Sequence, residues 1–309
     1  MSVAQLYLPF DSGSAANFRL WGEGISLQLT AAGWTKTTDT GQVDWTTNPA
    51  VPANGSYVSE IRRPASDPLQ TGSTAYFIKI EYGSNGGANF PEIRMSIGVG
   101  TNGAGTLTGF TIGPWTLHGS TSAAGVGTIP YECEFSWDNS RLAVMMWRNI
   151  YTVNGAAGCF FGIERTKDTS GNDSAEGVSL ITVGGTYNAQ GGSLMRTLVF
   201  GVGPANTLGL LGSAPLALPF IESIWVNNSQ SGSDSFNSNV PISPLFPDYG
   251  KFGNPQTILA FTKVADIPEG ALMTTTLYGV TRTYMGIKGG QCFGKFGGSQ
   301  ASAMLMRFD

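Results

Sequence analysis

The chain has 309 residues, of which 41% are hydrophobic and only 12% are charged, about half of the ~25% charged residues typical of soluble globular proteins. The formal net charge is −4 and the sequence contains no dense cluster of Lys or Arg, so we expect no nucleic-acid partner. The longest apolar run, Leu208–Ile221, is too short to cross a bilayer and is interrupted by two prolines, so we expect no membrane insertion.

An amphipathic helix is predicted near the N-terminus, over residues 14–33. Ser14 is of the type that caps a helix start, and Gly33 stands where a left-handed C-terminal cap is expected. Apolar residues recur between them at intervals of three or four positions: Phe18, Trp21, Ile25, Leu29 and Ala32. This single stripe predicts that the helix packs against a sheet.

After the helix the hydrophobic period changes to two, which indicates strands with one buried face. The alternation is clearest in Thr74–Tyr82, Ile93–Val99 and Tyr131–Trp137. Leu142–Trp147 is apolar without alternation, which predicts a strand covered on both faces and joined to the preceding one by a turn at 137–141. Further candidate strands are Phe160–Arg165, Val178–Val183, Ser193–Phe200, Ile221–Val226, Thr257–Val264, Met273–Tyr278, Thr283–Ile287 and Ala303–Phe308.

The density of short strands, together with 43 glycines and 16 prolines spread along the chain, predicts a mainly β fold. We expect an antiparallel, jelly-roll-like β-sandwich with one N-terminal amphipathic helix. The segment 227–247 is rich in Ser, Asn and Pro and is predicted to be a long loop. One domain over residues 1–309 is preferred, because strand-like sequence resumes after this loop; the alternative is a boundary near residue 230.

Residues suited to metal binding are sparse. Cys133, Cys159 and Cys292 form no CxxC pair, and we expect them to be free, buried thiols without a disulfide. His118 is the only histidine, which excludes the usual multi-histidine zinc sites. The loop Asp168–Glu176 offers several oxygen ligands, but the chain lacks the bidentate acid that a calcium-binding loop has at the twelfth position counted from its first ligand. We therefore predict a polar turn rather than a calcium site. No metal and no cofactor are expected.

Catalytic residues are equally hard to find. Glu132 and Glu134 share one face of a strand, as the two acids of a glycosidase would. Their neighbours on that face are small and polar rather than the aromatic residues that hold a sugar, so we predict two acids on the solvated side of a strand. We expect a protein that is not an enzyme.

Seven tryptophans could pack in the core or stack on a glycan, because an indole ring suits both. Core packing is favoured for those on strands. Trp115, which follows Pro114, and His118, which we place in a loop between this Pro-containing turn and a Gly-rich segment, are the candidate glycan contacts. The Gly-rich segment 98–105 precedes no helix and is predicted to be a hairpin turn.

Several segments resemble those of a group of tailed-bacteriophage virion structural proteins. They are Thr30–Trp34, Asp39–Trp45, Phe77–Ser84, Gly98–Gly109, Trp137–Arg141, Thr281–Met285 and Met304–Phe308. The resemblance covers most of the first half of the chain and the extreme C-terminus. It implies a component of the tail, the baseplate or the fibre attachment, with no catalytic motif to transfer.

The low charge and the missing reactive groups agree with that expectation, because neutral polar surfaces suit interfaces between many copies. We therefore expect a non-enzymatic structural protein that assembles in the host cytoplasm, is located in the virion, and packs against copies of itself and other virion proteins. The alternative is a carbohydrate-binding β-sandwich that recognises a host-surface glycan.

Overall fold

The computed structural model describes residues 2–9, 14–53, 55–84, 91–119, 131–148, 157–168, 170–184, 194–201, 242–244, 259–262, 270–277, 280–286 and 303–309. In chain order the elements are β1 (Ser2–Leu8), α1 (Ala15–Ala31), β2 (Trp34–Lys36), β3 (Tyr57–Pro64), β4 (Phe77–Ser84), β5 (Pro91–Thr101), β6 (Leu107–Gly119), β7 (Tyr131–Trp137), β8 (Arg141–Arg148), β9 (Ala157–Lys167), β10 (Asp173–Gly184), β11 (Leu194–Gly201), β12 (Ile242–Pro244), β13 (Leu259–Thr262), β14 (Leu272–Leu277), β15 (Val280–Gly286) and β16 (Ala303–Arg307). Short 3₁₀ turns occupy Trp45–Thr47 and Gly72–Thr74.

The described strands form three sheets in which the paired strands are antiparallel. Sheet A has the order β1-β7-β8-β9-β10-β11, sheet B the order β2-β3-β4-β5-β6, and sheet C the order β12-β13-β16-β15-β14. Consecutive strands are neighbours through most of sheets A and B, as hairpin connections require. The predicted mainly β, antiparallel sandwich with one N-terminal helix is confirmed.

Helix α1 forms as its sequence predicts. The Ser14 hydroxyl accepts a hydrogen bond from the Asn17 amide at 3.3 Å, and Gly33 follows the helix with φ of 80°. The five residues of the predicted apolar stripe are all buried. No helix in the described part of the chain has the length and hydropathy needed to span a bilayer.

Sheets A and B share one hydrophobic core with α1. Trp21 on the helix contacts Tyr82 of β4 with ring centroids 5.7 Å apart and Tyr131 of β7 at 6.1 Å. Trp45 packs edge-on against Tyr82 at 5.2 Å. The helix is therefore bound to both sheets through aromatic contacts, which add to the free energy gained from apolar burial.

The second face of sheet A is covered as well. Met145 and Phe160, which alternate with core residues along β8 and β9, are fully buried. In sheet C, Tyr284 and Met306 are also fully buried. The main-chain oxygen of Asp309, just beyond β16, accepts hydrogen bonds from side chains of sheet A, so the C-terminal strand docks on this second face.

Most of the predicted strands are observed within a few residues of their expected bounds. Residues 142–146 are buried on both sides of β8, as predicted for the non-alternating run. The turn before β8 closes through a 3.0 Å hydrogen bond from the Asp138 amide to the Arg141 carbonyl. A second predicted turn, at 98–105, is the β5–β6 hairpin, although β5 runs on to Thr101. The predicted strand Ile221–Val226 lies outside the described residues.

Several predictions were wrong or incomplete. Strands β1, β2, β3 and β6 were not expected, and Ile242–Pro244, placed in a long loop, form β12; the rest of the predicted loop at 227–247 and the alternative boundary near residue 230 lie outside the described residues. His118 lies on β6 rather than in a loop, with its Cα opposite that of Ile93 on β5. Gly109, Gly113 and Pro114 hid this strand from the sequence analysis, because glycine and proline usually interrupt strands.

Candidate functional site

The two candidate glycan contacts lie on the same strand. Trp115 and His118 occupy β6, opposite Met95 and Ile93 of β5, and the register of this pair is irregular between those positions. Strand β6 lies at one end of sheet B and approaches β9 and β10 of sheet A. The backbone thus places both residues near a corner of the sandwich. Their side chains lie outside the described part of the structure, and the glycan contact stays a prediction.

The prediction that Glu132 and Glu134 both lie on the solvated side of a strand is wrong for Glu134. Glu132 is partly exposed, but Glu134 is buried and accepts a 2.8 Å hydrogen bond from the Gln5 side-chain amide on β1. Sequence alternation placed Glu134 in solvent because it could not show that β7 is covered on both faces. A carboxylate held by Gln5 links two strands of sheet A.

Residues 168 and 170–172 belong to a polar turn between β9 and β10, and Asp173–Glu176 begin β10. Asp168 accepts hydrogen bonds from the amides of Ser170 and Asn172 at 2.8 and 2.9 Å, while Asp173 pairs with Lys167 at 2.7 Å. These carboxylates therefore have partners from the protein itself. Among the described residues no group of three or more His, Cys, Asp or Glu side chains is arranged to hold a metal ion. Cys133 is buried, as predicted, whereas the other two cysteine side chains are not described.

Two open grooves lie on the described surface. The first, about 370 Å³ in volume, lies between α1 and residues 36–46. Its polar groups bond to one another: Lys36 donates to the Val43 carbonyl, and Asp44 accepts hydrogen bonds from the amide and hydroxyl of Thr46 at 3.0 and 2.7 Å. These contacts hold the segment in place and use the groups that make them within the protein itself.

The second groove, about 550 Å³ in volume, lies where the end of α1 meets the start of β1 and the β7–β8 turn. Trp137 lines it, together with Asp138 and Lys167. Asp138 lies 3.4 Å from Arg141, and Lys167 is paired with Asp173. The charged side chains of this groove are thus already bound within the protein.

The strongest polar interactions are instead buried. Arg62 on β3 is within hydrogen-bonding distance of both oxygens of Glu60, at 2.8 and 3.0 Å, and donates to the hydroxyls of Ser26 and Thr30 on α1. Tyr82 donates to the same carboxylate at 2.8 Å. Burial and the charge of Glu60 raise the pKa of Tyr82 well above its usual value, so its hydroxyl stays a donor. This cluster links the helix to β3 and β4.

A second buried arginine links sheets A and B. Arg165 on β9 contacts Asp67 at 2.5 Å and donates to the main-chain oxygens of Leu69 and Thr74 at 3.0 and 2.8 Å. Its guanidinium also lies 5.1 Å from the centre of the Tyr76 ring. A planar group with five donors is suited to holding several oxygens of one irregular segment, here the β3–β4 connection.

A third buried cluster lies between sheets A and C. Arg141 donates to Ser136 and to the Asp309 main-chain oxygen at 3.3 and 3.1 Å, and Arg307 pairs with the Asp309 carboxylate at 2.8 Å. Burial and the nearby charge of Arg307 lower the pKa of Arg141 to about 10. Burial raises the pKa of Glu164, the cross-strand neighbour of Arg141, although both arginines oppose the shift.

These arginine clusters were missed by the sequence analysis. The available signal was a charge in the middle of an otherwise strand-like segment, as in residues 57–64. Without the fold, such a charge indicates solvent exposure.

A comparison of the chain with protein-family models, with curated proteins and with solved structures gives no significant match.

Proposed function

We propose that the protein is a non-enzymatic structural component of a tailed-bacteriophage particle, in the tail, the baseplate or the fibre attachment. One observation carries the structural role. The fully buried charges Arg62, Arg165 and Arg141 bind oxygens of neighbouring elements and link the helix and the three sheets. Buried arginine side chains thus connect the helix and the sheets through hydrogen bonds and ion pairs.

A body built in this way suits packing in many copies. Since the chain is only 12% charged and several charges of its described part are internal, few charged side chains are left for the surface of that part. Interfaces deplete charged residues at their centres, and identical copies of such a surface repel one another little. The partners are therefore proposed to be copies of the chain and other virion proteins.

The assignment to a phage particle is supported by the resemblance of the segments named above, and not by the fold. Intact particles purified from an infected culture test it directly. Mass spectrometry should detect the chain in stoichiometric amounts, and antibody labelling in the electron microscope should place it at the tail or baseplate. Absence of the chain from intact particles would overturn the proposal.

A glycan-binding role is the second candidate, because Trp115 and His118 lie three residues apart on one terminal strand of sheet B. Aromatic rings on a sheet can stack on sugar faces. Titration with host-envelope polysaccharide should give saturable binding that Trp115→Ala removes and that Trp137→Ala, a control at the second groove, retains. Unsaturable or absent binding excludes this role.

A further inference from the structure

We infer that the edge of β1 that faces away from β7 is an interaction surface that pairs antiparallel with β1 of a second copy of the chain, so that sheet A continues across two molecules. The inference rests on the proposed packing function and adds to it a surface, a partner and a register.

Strand β1 is a regular edge strand. It pairs with β7 over seven consecutive positions, from Ser2 opposite Trp137 to Leu8 opposite Tyr131, without a shift in register. Within the described residues, β7 is the strand that borders β1, and the other side of β1 has no strand neighbour. The main-chain amides and carbonyls on such a side form a template for a further strand.

Four of the other five sheet edges are short, charged or obstructed. Strand β2 has three residues and ends with Lys36, and beyond its end the Gln42 side chain accepts the amide of Ile61 on β3 at 2.6 Å, so a side chain replaces β2 as the neighbour of β3 there. Strand β12 has three residues and ends in Pro244, β11 contains Arg196, and β6 lies against β9 and β10. Short length, proline and charge are the usual protections of an edge. Strand β1 has none of them.

The side chains of β1 also favour a neighbour. Val3 and Tyr7, on the outer face of sheet A, are 46% and 61% exposed. Ala4 and Leu6, on the inner face, pack against the shared core but are only partly buried. A strand added beside β1 would cover side chains on both faces, which supplies a hydrophobic contribution in addition to main-chain hydrogen bonds.

A second copy of β1 fits this edge better than a charged strand would. In an antiparallel pair centred on Gln5, Val3 lies opposite Tyr7 of the second copy, and Ala4 lies opposite Leu6 of the second copy. Both opposed pairs are apolar, and at the centre the Gln5 side chains of the two copies lie opposite each other. Since β1 contains no charged residue, its self-pairing opposes no like charges, and a two-fold interface is self-complementary by symmetry.

Strand β14 is the comparison edge. It also lacks charge and proline, but its exposed side chains include Thr274 and Thr276, which are polar. Its exposed apolar residue, Leu272, stands at the start of the strand. We therefore assign the pairing to β1 and use β14 as the control surface.

A charge exchange tests both the surface and its register in the full-length chain. The double substitution V3K/Y7K places like charges opposite each other twice in the proposed dimer, whereas V3E/Y7K places opposite charges together twice. In sedimentation velocity over a range of concentrations, the unaltered chain should associate. V3K/Y7K should weaken association on the order of tenfold, and V3E/Y7K should restore it.

Both positions are exposed, so thermal melting should show all variants folded. The control Thr274→Lys on β14 should leave association unchanged. A chain that stays monomeric at every concentration, or one whose association is lost with Thr274→Lys and kept with V3K/Y7K, would overturn the inference. Association in solution by a chain that is absent from phage particles would keep the strand pairing and reject the phage proposal, so the two failures are distinguishable.

Discussion

Arg62 and Glu60 form an ion pair inside the protein, where neither charge is hydrated. Replacing Arg62 by Leu leaves the Glu60 carboxylate buried without its cation, so we expect a loss of about 3–5 kcal/mol in the free energy of unfolding. The adjacent Arg63 is exposed, and Arg63→Leu should change that free energy by less than about 0.5 kcal/mol. Urea unfolding followed by tryptophan fluorescence measures both. Similar losses for the two variants would contradict a structural role for the buried pair.

Substitution by alanine should affect the stability of the protein differently at Gly22 and at Gly24 of α1. A Cβ atom at Gly22 would lie 2.0 Å from the Trp45 ring, which is packed against Tyr82, whereas at Gly24 it would meet the end of the Leu8 side chain at 2.5 Å. Gly22→Ala should destabilise the protein, because overpacking costs about 1–3 kcal/mol while the helix gains about 1 kcal/mol.

Gly24→Ala should be neutral or slightly stabilising, since Leu8 can rotate away. Thermal melting compares the two variants directly. A Gly22→Ala variant that melts at or above the temperature of Gly24→Ala would show that Trp45 moves aside readily.

At the scale of the elements, Asp39 holds the segment after β2 against the β5–β6 hairpin. Its carboxylate accepts hydrogen bonds from Thr37, Thr101 and the Gly105 amide at 2.7, 3.1 and 3.3 Å. Partial burial favours the neutral acid, but these hydrogen bonds outweigh it, and the pKa of Asp39 is lowered. Because the folded-state pKa lies below the unfolded one, this contact stabilises the protein above the unfolded pKa of about 3.9 and is lost as the pH falls through the folded value.

An NMR titration of the Gly105 amide should therefore show a transition with a midpoint below about 3.9. Asp39→Asn should abolish it. Asp44→Asn, which removes a nearby carboxylate that caps the 3₁₀ turn instead, should leave it unchanged. A Gly105 transition that persists in Asp39→Asn would refute the assignment.

At the scale of the whole molecule, the third buried cluster determines how sheet C is held on sheet A. Neither oxygen of Glu164 has a hydrogen-bond partner among the described residues, and burial raises the pKa of this carboxyl. When folding raises the pKa of a carboxyl, its unfavourable effect on the free energy of unfolding is absent below the unfolded pKa. The effect grows as the pH rises from the unfolded pKa towards the folded pKa.

Glu164→Gln removes this titration while keeping the shape of the side chain. We expect the variant to be more stable than the unaltered protein at pH 8, with a difference that shrinks as the pH is lowered towards about 4.3, the usual pKa of glutamate. Urea unfolding at a series of pH values measures the difference. A variant that is less stable at pH 8 would mean that Glu164 is ionised and compensates the two arginines.

Residues whose environment follows from local pattern were predicted well. Helix α1, with Ser14 at its start and Gly33 after its end, follows from period and capping alone. The exact bounds of β7, Tyr131–Trp137, follow from the alternation of large and polar residues and the turn that comes next. In both cases the signal lies within one element.

Strand β3 shows why other elements were missed. Its side chains Glu60 and Arg62 face the helix, while Ile61 is buried on the opposite face beneath residues 37–43, whose main chain bonds to that of β3. This reverses the usual order of apolar inside and polar outside. A charge is stable there only because partners from distant parts of the chain meet it, and sequence period contains no information on those partners.

The sequence by itself determined the mainly β class, the position of the one helix in the described part of the chain and the apolar stripe that it buries. Only the tertiary structure decided which strands are neighbours, that sheet A is covered on both faces, and that arginines join the layers from inside. The reason is physical: period and turn chemistry act over a few residues, whereas the burial of a charge depends on groups such as Asp67 and Arg165, which lie 98 residues apart in sequence and 2.5 Å apart in space.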